Sequence, residues 1–164
     1  AGFAICAISE RMIEKSAKLE NKGYFLDVLQ YEKSYAKAQT PSTPSIPHLF
    51  GIQKVLDIID KEGLDNRWKR HKDCAEYTQN WAFAHNQTLY PELSCRSETL
   101  TCIQNDQGWN IDKVNEALLT RGYRMDRGYG NLRGKAFRVA HMGNVYMEDL
   151  VDYLNEFDEV LKHV

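Results

Sequence analysis

The stretch GYGNLRGKAFRVAHMG, residues 128–143, decides how the second half of this sequence folds. Its leading glycines predict a turn, and the alternating pattern of KAFRVAHM, residues 135–142, predicts a strand. Upstream, ETLTCIQ, residues 98–104, is bounded by polar residues and predicts another strand. Residues 123–127 are expected to form a short strand directly before the turn.

Helical patterns surround these strands. A helix is expected from Asp65 to about Asn86, and Asn110 is placed to cap another through Leu119. Leucine and phenylalanine recur at helical spacing in the final segment, residues 148–163. The order helix, strand, helix, strand, strand, helix predicts a small antiparallel sheet with helices packed on one face, an α+β layer.

The part before Gly63 has a different pattern. Residues 2–8, GFAICAI, are almost continuously apolar and predict a strand covered on both faces, while residues 23–29 predict an extended segment. Pro47 is placed to open a helix that Gly63 closes. This part supplies too few strands for a sheet, and it opens on Ala1 without an initiator Met. We therefore expect the chain to be a piece of a longer protein.

Composition excludes several classes of protein. The 164 residues carry 21 Lys and Arg against 23 Asp and Glu, so the basic excess of a nucleic-acid-binding protein is missing. The longest apolar run is far shorter than the roughly 20 residues that span a bilayer. The four cysteines form no CxxC pair and the five histidines no metal-binding spacing, so we expect no metal, reduced thiols and a cytoplasmic location.

The segment QTPSTP, residues 39–44, is the first candidate binding segment. Its prolines favour an extended backbone, and hydroxyls such as those of Thr40 and Thr43, together with backbone N–H groups, can hold a phosphate. The alternative is a proline-rich linker whose hydroxyls cap the following helix.

Arg138 is the second candidate. It lies on the predicted strand between Phe137 and Val139, where burying a guanidinium without an anion is costly. Its planar fork matches a carboxylate bidentately. The alternatives are a solvent-exposed side chain or an ion pair with an internal Asp or Glu. A third stretch, NRWKRHKD at 66–73, mixes both charges and predicts a solvated helix face, with Trp68 in the core.

Several segments together resemble the C-terminal part of class V pyridoxal-phosphate aminotransferases, in the alanine–glyoxylate, serine–glyoxylate and serine–pyruvate group. They are AGFAICAISERM, GYFLDVL, TPSTPSIPHLFGIQKVLDIIDKEGLDNRWKRHKDCAE and GYGNLRGKAFRVAHMG. The resemblance extends over essentially the whole chain. It implies fold type I, with residues 1–62 as the tail of the large cofactor-binding domain, including the linking helix, and residues 63–164 as the small C-terminal domain.

The resemblance also implies roles for the candidate residues. Arg138 matches the arginine that binds the substrate α-carboxylate. Thr43 matches the threonine that reaches the phosphate of the pyridoxal 5'-phosphate held by the neighbouring subunit of a homodimer. Thr40 stands where related enzymes place another phosphate-contacting side chain, often Tyr. The implied reaction moves an amino group from an alanine- or serine-type amino acid to a 2-oxo acid such as glyoxylate or pyruvate.

The catalytic residue itself is not expected here. The family's Schiff-base lysine lies upstream of the first strand, and Lys15, Lys18 and Lys22 come after it. The chain alone is therefore expected to be inactive. Two alternatives remain: a non-catalytic binding or dimerisation module, and a fragment of a cysteine desulfurase. The desulfurase would need a catalytic cysteine on a loop, for which Cys95 is the candidate.

Overall fold

A computed structural model describes residues 4–164 of the chain. In this part there are six α-helices and two β-strands. In chain order they are α1 (Glu10–Ala17), α2 (Val28–Tyr35), α3 (Ile46–Glu62), α4 (Leu64–Ala84), β1 (Leu100–Gln104), α5 (Ile111–Thr120), β2 (Ala136–Ala140) and α6 (Met147–Leu161). They fall into two compact units, one ending at Lys61 and the other running from Glu62 to Val164.

The strand predicted at residues 2–8 is wrong for its described part. Residues 2 and 3 lie outside the described residues, and residues 4–9 form neither helix nor strand. The side chain of Ile5 is 82% exposed. A strand needs neighbours for its backbone hydrogen bonds, and the described part of this unit offers no partner strand. Apolar composition alone therefore did not produce one.

The extended segment predicted at residues 23–29 is also replaced, by a turn at residues 24–26 and the start of α2 at Val28. Asp27 is the N-cap of α2, and its Oδ1 accepts a hydrogen bond from the backbone N–H of Leu29 at 3.1 Å. Lys22 forms an ion pair with the same carboxylate at 3.2 Å. The capping carboxylate satisfies a helix N-terminal donor, which the partial alternation of the sequence did not indicate.

The two long helices agree with their predictions. α3 ends at Glu62 and α4 begins at Leu64, with Gly63 between them at a φ of +80°. A positive φ costs glycine little, so the helix is interrupted at that residue. Trp68 is not in the core, however, because its side chain is 59% exposed. It lies on the same face of α4 as His71 and Ala75, but one turn before the buried residues begin.

The predicted sheet and its helical cover are confirmed in the second unit. β1 and β2 pair antiparallel, with Ile103 opposite Phe137 and Thr101 opposite Val139. These side chains are buried on one face of the sheet. The core on that face includes residues of β1, β2, α4, α5 and α6: Ile103, Phe137, Val139, Cys74, Trp81, Val114, Leu118, Leu154 and Phe157. Alternate side chains of a strand face opposite ways, so Cys102 and Arg138 lie on the other face.

No helix among residues 4–164 combines the length and the apolarity that crossing a bilayer requires.

Candidate functional site

Arg138 lies at the centre of β2, and a neighbouring segment of backbone pairs with it on each side. Its Cα is paired with that of Cys102 in β1. On the other side, Asp126 forms an isolated antiparallel bridge with Arg138, and the Arg138 N–H donates to the Asp126 carbonyl at 3.3 Å. Side chains directly opposite each other in such a pair are close neighbours on one face of the sheet. The backbone therefore brings the Asp126 carboxylate to the guanidinium.

Asp126 and Arg138 form a bidentate ion pair. Arg138 Nε donates to Asp126 Oδ1 at 3.0 Å, and Nη2 donates to Oδ2 at 2.5 Å. The side chains are 37% and 39% exposed. The hydrogen bond from Arg138 lowers the pKa of Asp126, and the backbone N–H of Gly128 lowers it further against an opposing effect of burial. The sequence left several partners open for Arg138, and in the structure its partner is an internal acid, Asp126.

The turn that carries Asp126 depends on Gly128. Its φ is +80°, and a Cβ at this position would lie 2.5 Å from the carbonyl oxygens of both Ala136 and Leu132. No side chain fits there. The Gly128 N–H donates to Asp126 Oδ1 at 2.9 Å. The close approach of the turn to the start of β2 therefore holds Asp126 in place beside Arg138.

A cleft of about 350 Å³ opens at the ion pair. Its lining includes Asp126, Arg138, Val145, Asp149 and Tyr153. Burial raises the pKa of Tyr153, and the negative charge of Asp126 adds to this effect. The phenol is therefore neutral near pH 7, and the cleft combines an apolar wall with one held guanidinium.

The loop after β2 is held by α4. Arg67 Nη2 and Arg70 Nη2 each donate to the carbonyl of Gly143 at 3.0 Å. Arg70 Nη1 donates to the carbonyl of Val145, whose side chain lines the cleft. The Arg67 and Arg70 side chains are only 11% and 13% exposed, so the prediction of a solvated face was wrong for them.

These arginines were missed because the sequence signal points to the surface. Mixed charges on a helix usually indicate solvent, and their partners are carbonyls more than 70 residues away. Glu62 compensates their charge. It accepts hydrogen bonds from Arg67 Nη1 at 2.8 Å and Arg70 Nε at 2.6 Å, and these bonds lower its pKa to about 2. An acid at the end of one helix followed by two arginines in the next was the available clue.

The loop with Thr40 and Thr43 lies in the first unit. The Thr40 hydroxyl donates to the carbonyl of Ser42 at 2.7 Å, and the Tyr24 hydroxyl donates to that of Pro41 at 2.7 Å. These two bonds hold the loop in a fixed shape around a shallow depression of about 890 Å³. The loop is therefore held by one hydrogen bond of its own and one from Tyr24.

The loop residues fit a phosphate unequally. Thr43 is exposed, and its hydroxyl makes no hydrogen bond within residues 4–164, so it is free to donate to an anion. Thr40 has already used its only donor on Ser42. Thr43 thus suits a phosphate oxygen, and Thr40 suits the support of the loop. Arg138 belongs to the other unit.

Two of the cysteines, Cys95 and Cys74, lie in different environments. Cys95 is exposed in a short 3₁₀ turn at Leu93–Cys95. Cys74 is buried in α4, and burial raises the pKa of its thiol. No group of three or more His, Cys, Asp or Glu side chains able to hold a metal ion occurs among residues 4–164.

Comparison with known proteins confirms the resemblance. An uncharacterised aminotransferase of Methanocaldococcus jannaschii is 35% identical over 146 residues, which is 87% of this chain and 38% of the relative. A serine–glyoxylate aminotransferase of Arabidopsis thaliana is 29% identical over 170 residues, covering 99% of this chain and 41% of the relative. No family model matches the chain.

The solved structures agree. The crystal structure of an alanine–glyoxylate aminotransferase from Nostoc sp. matches with a TM-score of 0.81 and 28% identity, over 94% of this chain and 42% of that one. These two relatives and this structural neighbour are class V aminotransferases. The chain spans about two fifths of the length of these relatives. Relatives with another name include the soluble hydrogenase 42 kDa subunit of Anabaena cylindrica, at 29% identity over 98% of this chain and 42% of that relative.

Proposed function

We propose that this chain is the C-terminal part of an aminotransferase that moves an amino group from an alanine- or serine-type amino acid to glyoxylate, pyruvate or a similar 2-oxo acid. The observation that carries the proposal is the guanidinium of Arg138, held at the centre of β2 and open to a cleft, in a chain related along its length to aminotransferases. A cytoplasmic location and a homodimer are part of the proposal.

Arg138 binds the α-carboxylate in this proposal. Amino acids and 2-oxo acids share that group, so one fixed arginine serves both substrates. A guanidinium offers paired N–H donors whose spacing matches the two oxygens of a carboxylate. Apolar residues of the cleft such as Leu150 strengthen the pairing once the bound substrate has displaced water from the guanidinium.

Pyridoxal 5'-phosphate is the proposed cofactor. When bound, it supplies an electron sink for the carbon that loses or gains the amino group. The free hydroxyl of Thr43 holds its phosphate from the neighbouring subunit, and Thr40 fixes the loop around it. The ordered loop and the free hydroxyl support this role, since hydroxyl and backbone donors on a rigid segment suit an oxyanion.

The lysine that would hold the cofactor covalently is proposed to lie outside this chain. Lys22 is engaged by Asp27 and by the carbonyl of Ser16 at 2.9 Å, which agrees with a structural role. In this proposal residues 1–62 complete the large domain and residues 63–164 form the small domain. In this proposal Arg138 binds the substrate carboxylate and Thr43 binds the cofactor phosphate.

The test uses the longer protein that carries this chain. Amino transfer from alanine and serine to glyoxylate is measured for the parent protein, R138A, and E156A as a matched control. Glu156 pairs with Arg121 at 2.5 Å with 37% and 38% exposure, which resembles the Arg138 pair. We expect R138A to lose about 100-fold or more in kcat/KM and E156A to lose nothing.

Two outcomes would contradict the proposal. Full activity of R138A would remove this residue from the substrate site. A parent protein without transferase activity towards any of these pairs would favour a binding module or a hydrogenase subunit. Sulfur release from cysteine that depends on Cys95 would instead favour the desulfurase.

A further inference from the structure

Asp126 holds the Arg138 guanidinium by one side only. The Asp126 oxygens take the Nε hydrogen and one Nη2 hydrogen. A guanidinium has five N–H donors, so the Nη1 pair and the second Nη2 hydrogen remain. Nη1 makes no hydrogen bond within residues 4–164. The end of the fork formed by Nη1 and Nη2 is therefore available to a second carboxylate.

We propose that Asp126 is a positioning residue, which holds the side of the Arg138 guanidinium so that its Nη1–Nη2 end receives the substrate carboxylate. This inference rests on the proposed function, because it assumes that Arg138 binds substrate. It assigns to Asp126 a role in substrate recognition although Asp126 itself does not contact the substrate.

The Asp126 carboxylate is itself fixed, which a positioning role requires. Its Oδ1 accepts from its own chain at the Gly128 N–H, 2.9 Å away. Its backbone is joined to that of Arg138 by the bridge described above. A side chain anchored at both ends holds its partner in one orientation, and binding a ligand to a prearranged group costs less entropy. Without Asp126, the Arg138 side chain would no longer be held in one rotamer, and its guanidinium plane would no longer have one orientation.

A competing interpretation is that Asp126 occupies the place of the substrate and must be displaced. The two interpretations predict opposite effects of removing Asp126 on the use of substrate. If Asp126 competes, its removal frees the guanidinium and lowers KM. If Asp126 positions Arg138, removal leaves a mobile arginine and lowers kcat/KM. The unused Nη1 favours positioning, because two carboxylates can occupy different sides of one guanidinium at the same time.

The experiment compares alanine with ethylamine, which differ by the α-carboxylate alone. Amino transfer from each is measured for the longer protein, D126A, D126N, R138A and the control E156A. We expect D126A to lose about 10- to 100-fold in kcat/KM for alanine, with less than about threefold change for ethylamine. D126N should lose less than D126A, because its amide oxygen still accepts from the Gly128 N–H.

The outcomes separate this inference from the proposed function. If R138A lowers kcat/KM equally for alanine and ethylamine, the proposed role of Arg138 fails. R138A could lower kcat/KM for alanine alone, while D126A lowers KM for alanine or leaves both kinetic constants unchanged. Only the inference about Asp126 is then overturned. Equal losses on both donors in D126A would indicate a merely structural role and would overturn it too.

A second measurement does not depend on activity. In the ¹⁵N-labelled chain, the Arg138 Nε–H resonance should be resolved and slow to exchange because that hydrogen is bound by Asp126. D126A should return it to the exchange rate of exposed arginines, while E156A should leave it unchanged. An Arg138 Nε–H that exchanges equally fast in the parent chain and in D126A would contradict a held guanidinium.

Discussion

The guanidinium of Arg70 and the carboxylate of Glu62 form a bidentate ion pair across eight residues of sequence, with Nε–Oε1 at 2.6 Å and Nη2–Oε2 at 3.1 Å. The same guanidinium lies 4.7 Å above the Tyr146 ring and binds the carbonyls of Gly143 and Val145. One side chain thus joins the end of a helix to the loop that follows β2. This loop forms part of the cleft at Arg138.

The Glu62 pair predicts a stability that depends on acid pH. The folded pKa of Glu62 is about 2 against an ordinary value of 4.5. A carboxylate with a lowered pKa stabilises the folded state at a pH above its unfolded-state pKa. The stabilisation is lost as the pH falls from about 4.5 towards 2. Urea unfolding of the parent chain and E62Q at pH 7, 4.5 and 3 measures this. We expect E62Q to be less stable than the parent at pH 7, with the gap narrowing at pH 3.

The control for Glu62 is D73N, because Asp73 forms an exposed i,i+4 pair with Lys69. Such exposed pairs contribute little, so D73N should stay close to the parent at every pH. A gap between E62Q and the parent that is constant from pH 7 to pH 3 would contradict the assigned pKa.

His141 predicts a second pH dependence in a different range. Its side chain is fully buried, and burial lowers its pKa from 6.5 to about 4, with the nearby His71 as the next cause. The unfolded chain then binds the proton first, so stability is complete above pH 6.5 and falls as the pH drops towards 4. The difference of about 2.5 pKa units corresponds to about 3 kcal/mol.

The free energy of unfolding measured between pH 7.5 and 4.5 tests the contribution of His141. This pH range lies above the one in which Glu62 titrates. H141Q keeps a polar side chain that can bond to the Thr101 hydroxyl, the partner of His141 Nε2 at 3.0 Å. We expect H141Q to flatten the loss of stability in this range, and the exposed-site control H163Q to leave it unchanged. The same slope in H141Q and the parent would assign the loss to other groups.

Gly128 and Gly130 form a matched pair for testing the turn. Both have a positive φ, but a Cβ would meet two carbonyl oxygens at 2.5 Å at Gly128 and open space at Gly130. G130A should therefore cost only the backbone strain, about 1 kcal/mol. G128A adds a backbone clash and should cost at least about 3 kcal/mol of unfolding free energy. Equal costs would mean that the turn is not packed as described.

The four cysteines should react at different rates with a thiol reagent. Cys6 and Cys95 are exposed, Cys102 is half-buried and Cys74 is buried. Burial raises the pKa of both Cys74 and Cys102, and the thiolate is the reactive form. Alkylation followed by peptide mass spectrometry should label Cys6 and Cys95 first and Cys74 only on unfolding. Early labelling of Cys74 in the folded chain would contradict its place in the core.

Local sequence patterns were sufficient where the neighbouring residues decide the structure. Asn110 caps α5 by accepting from the Lys113 N–H at 3.1 Å, as its position predicted. The helices that begin near Pro47 and Asp65 and the strands in 98–104 and 135–142 also formed. In each case the decisive interaction is a cap, a turn or a repeated apolar face within a few residues, and that information is present in the sequence.

The sequence by itself determined that this is an α+β chain with helices on one face of an antiparallel sheet, and that Arg138 lies on a strand between two apolar residues. Only the tertiary structure decided what its guanidinium binds. Asp126 is twelve residues away in the chain, and no local pattern pairs them. Their contact comes from a turn that places two backbones side by side, and Arg67 and Arg70 likewise depend on carbonyls distant in sequence. Ion pairs of this kind depend on chain topology, which composition and periodicity do not encode.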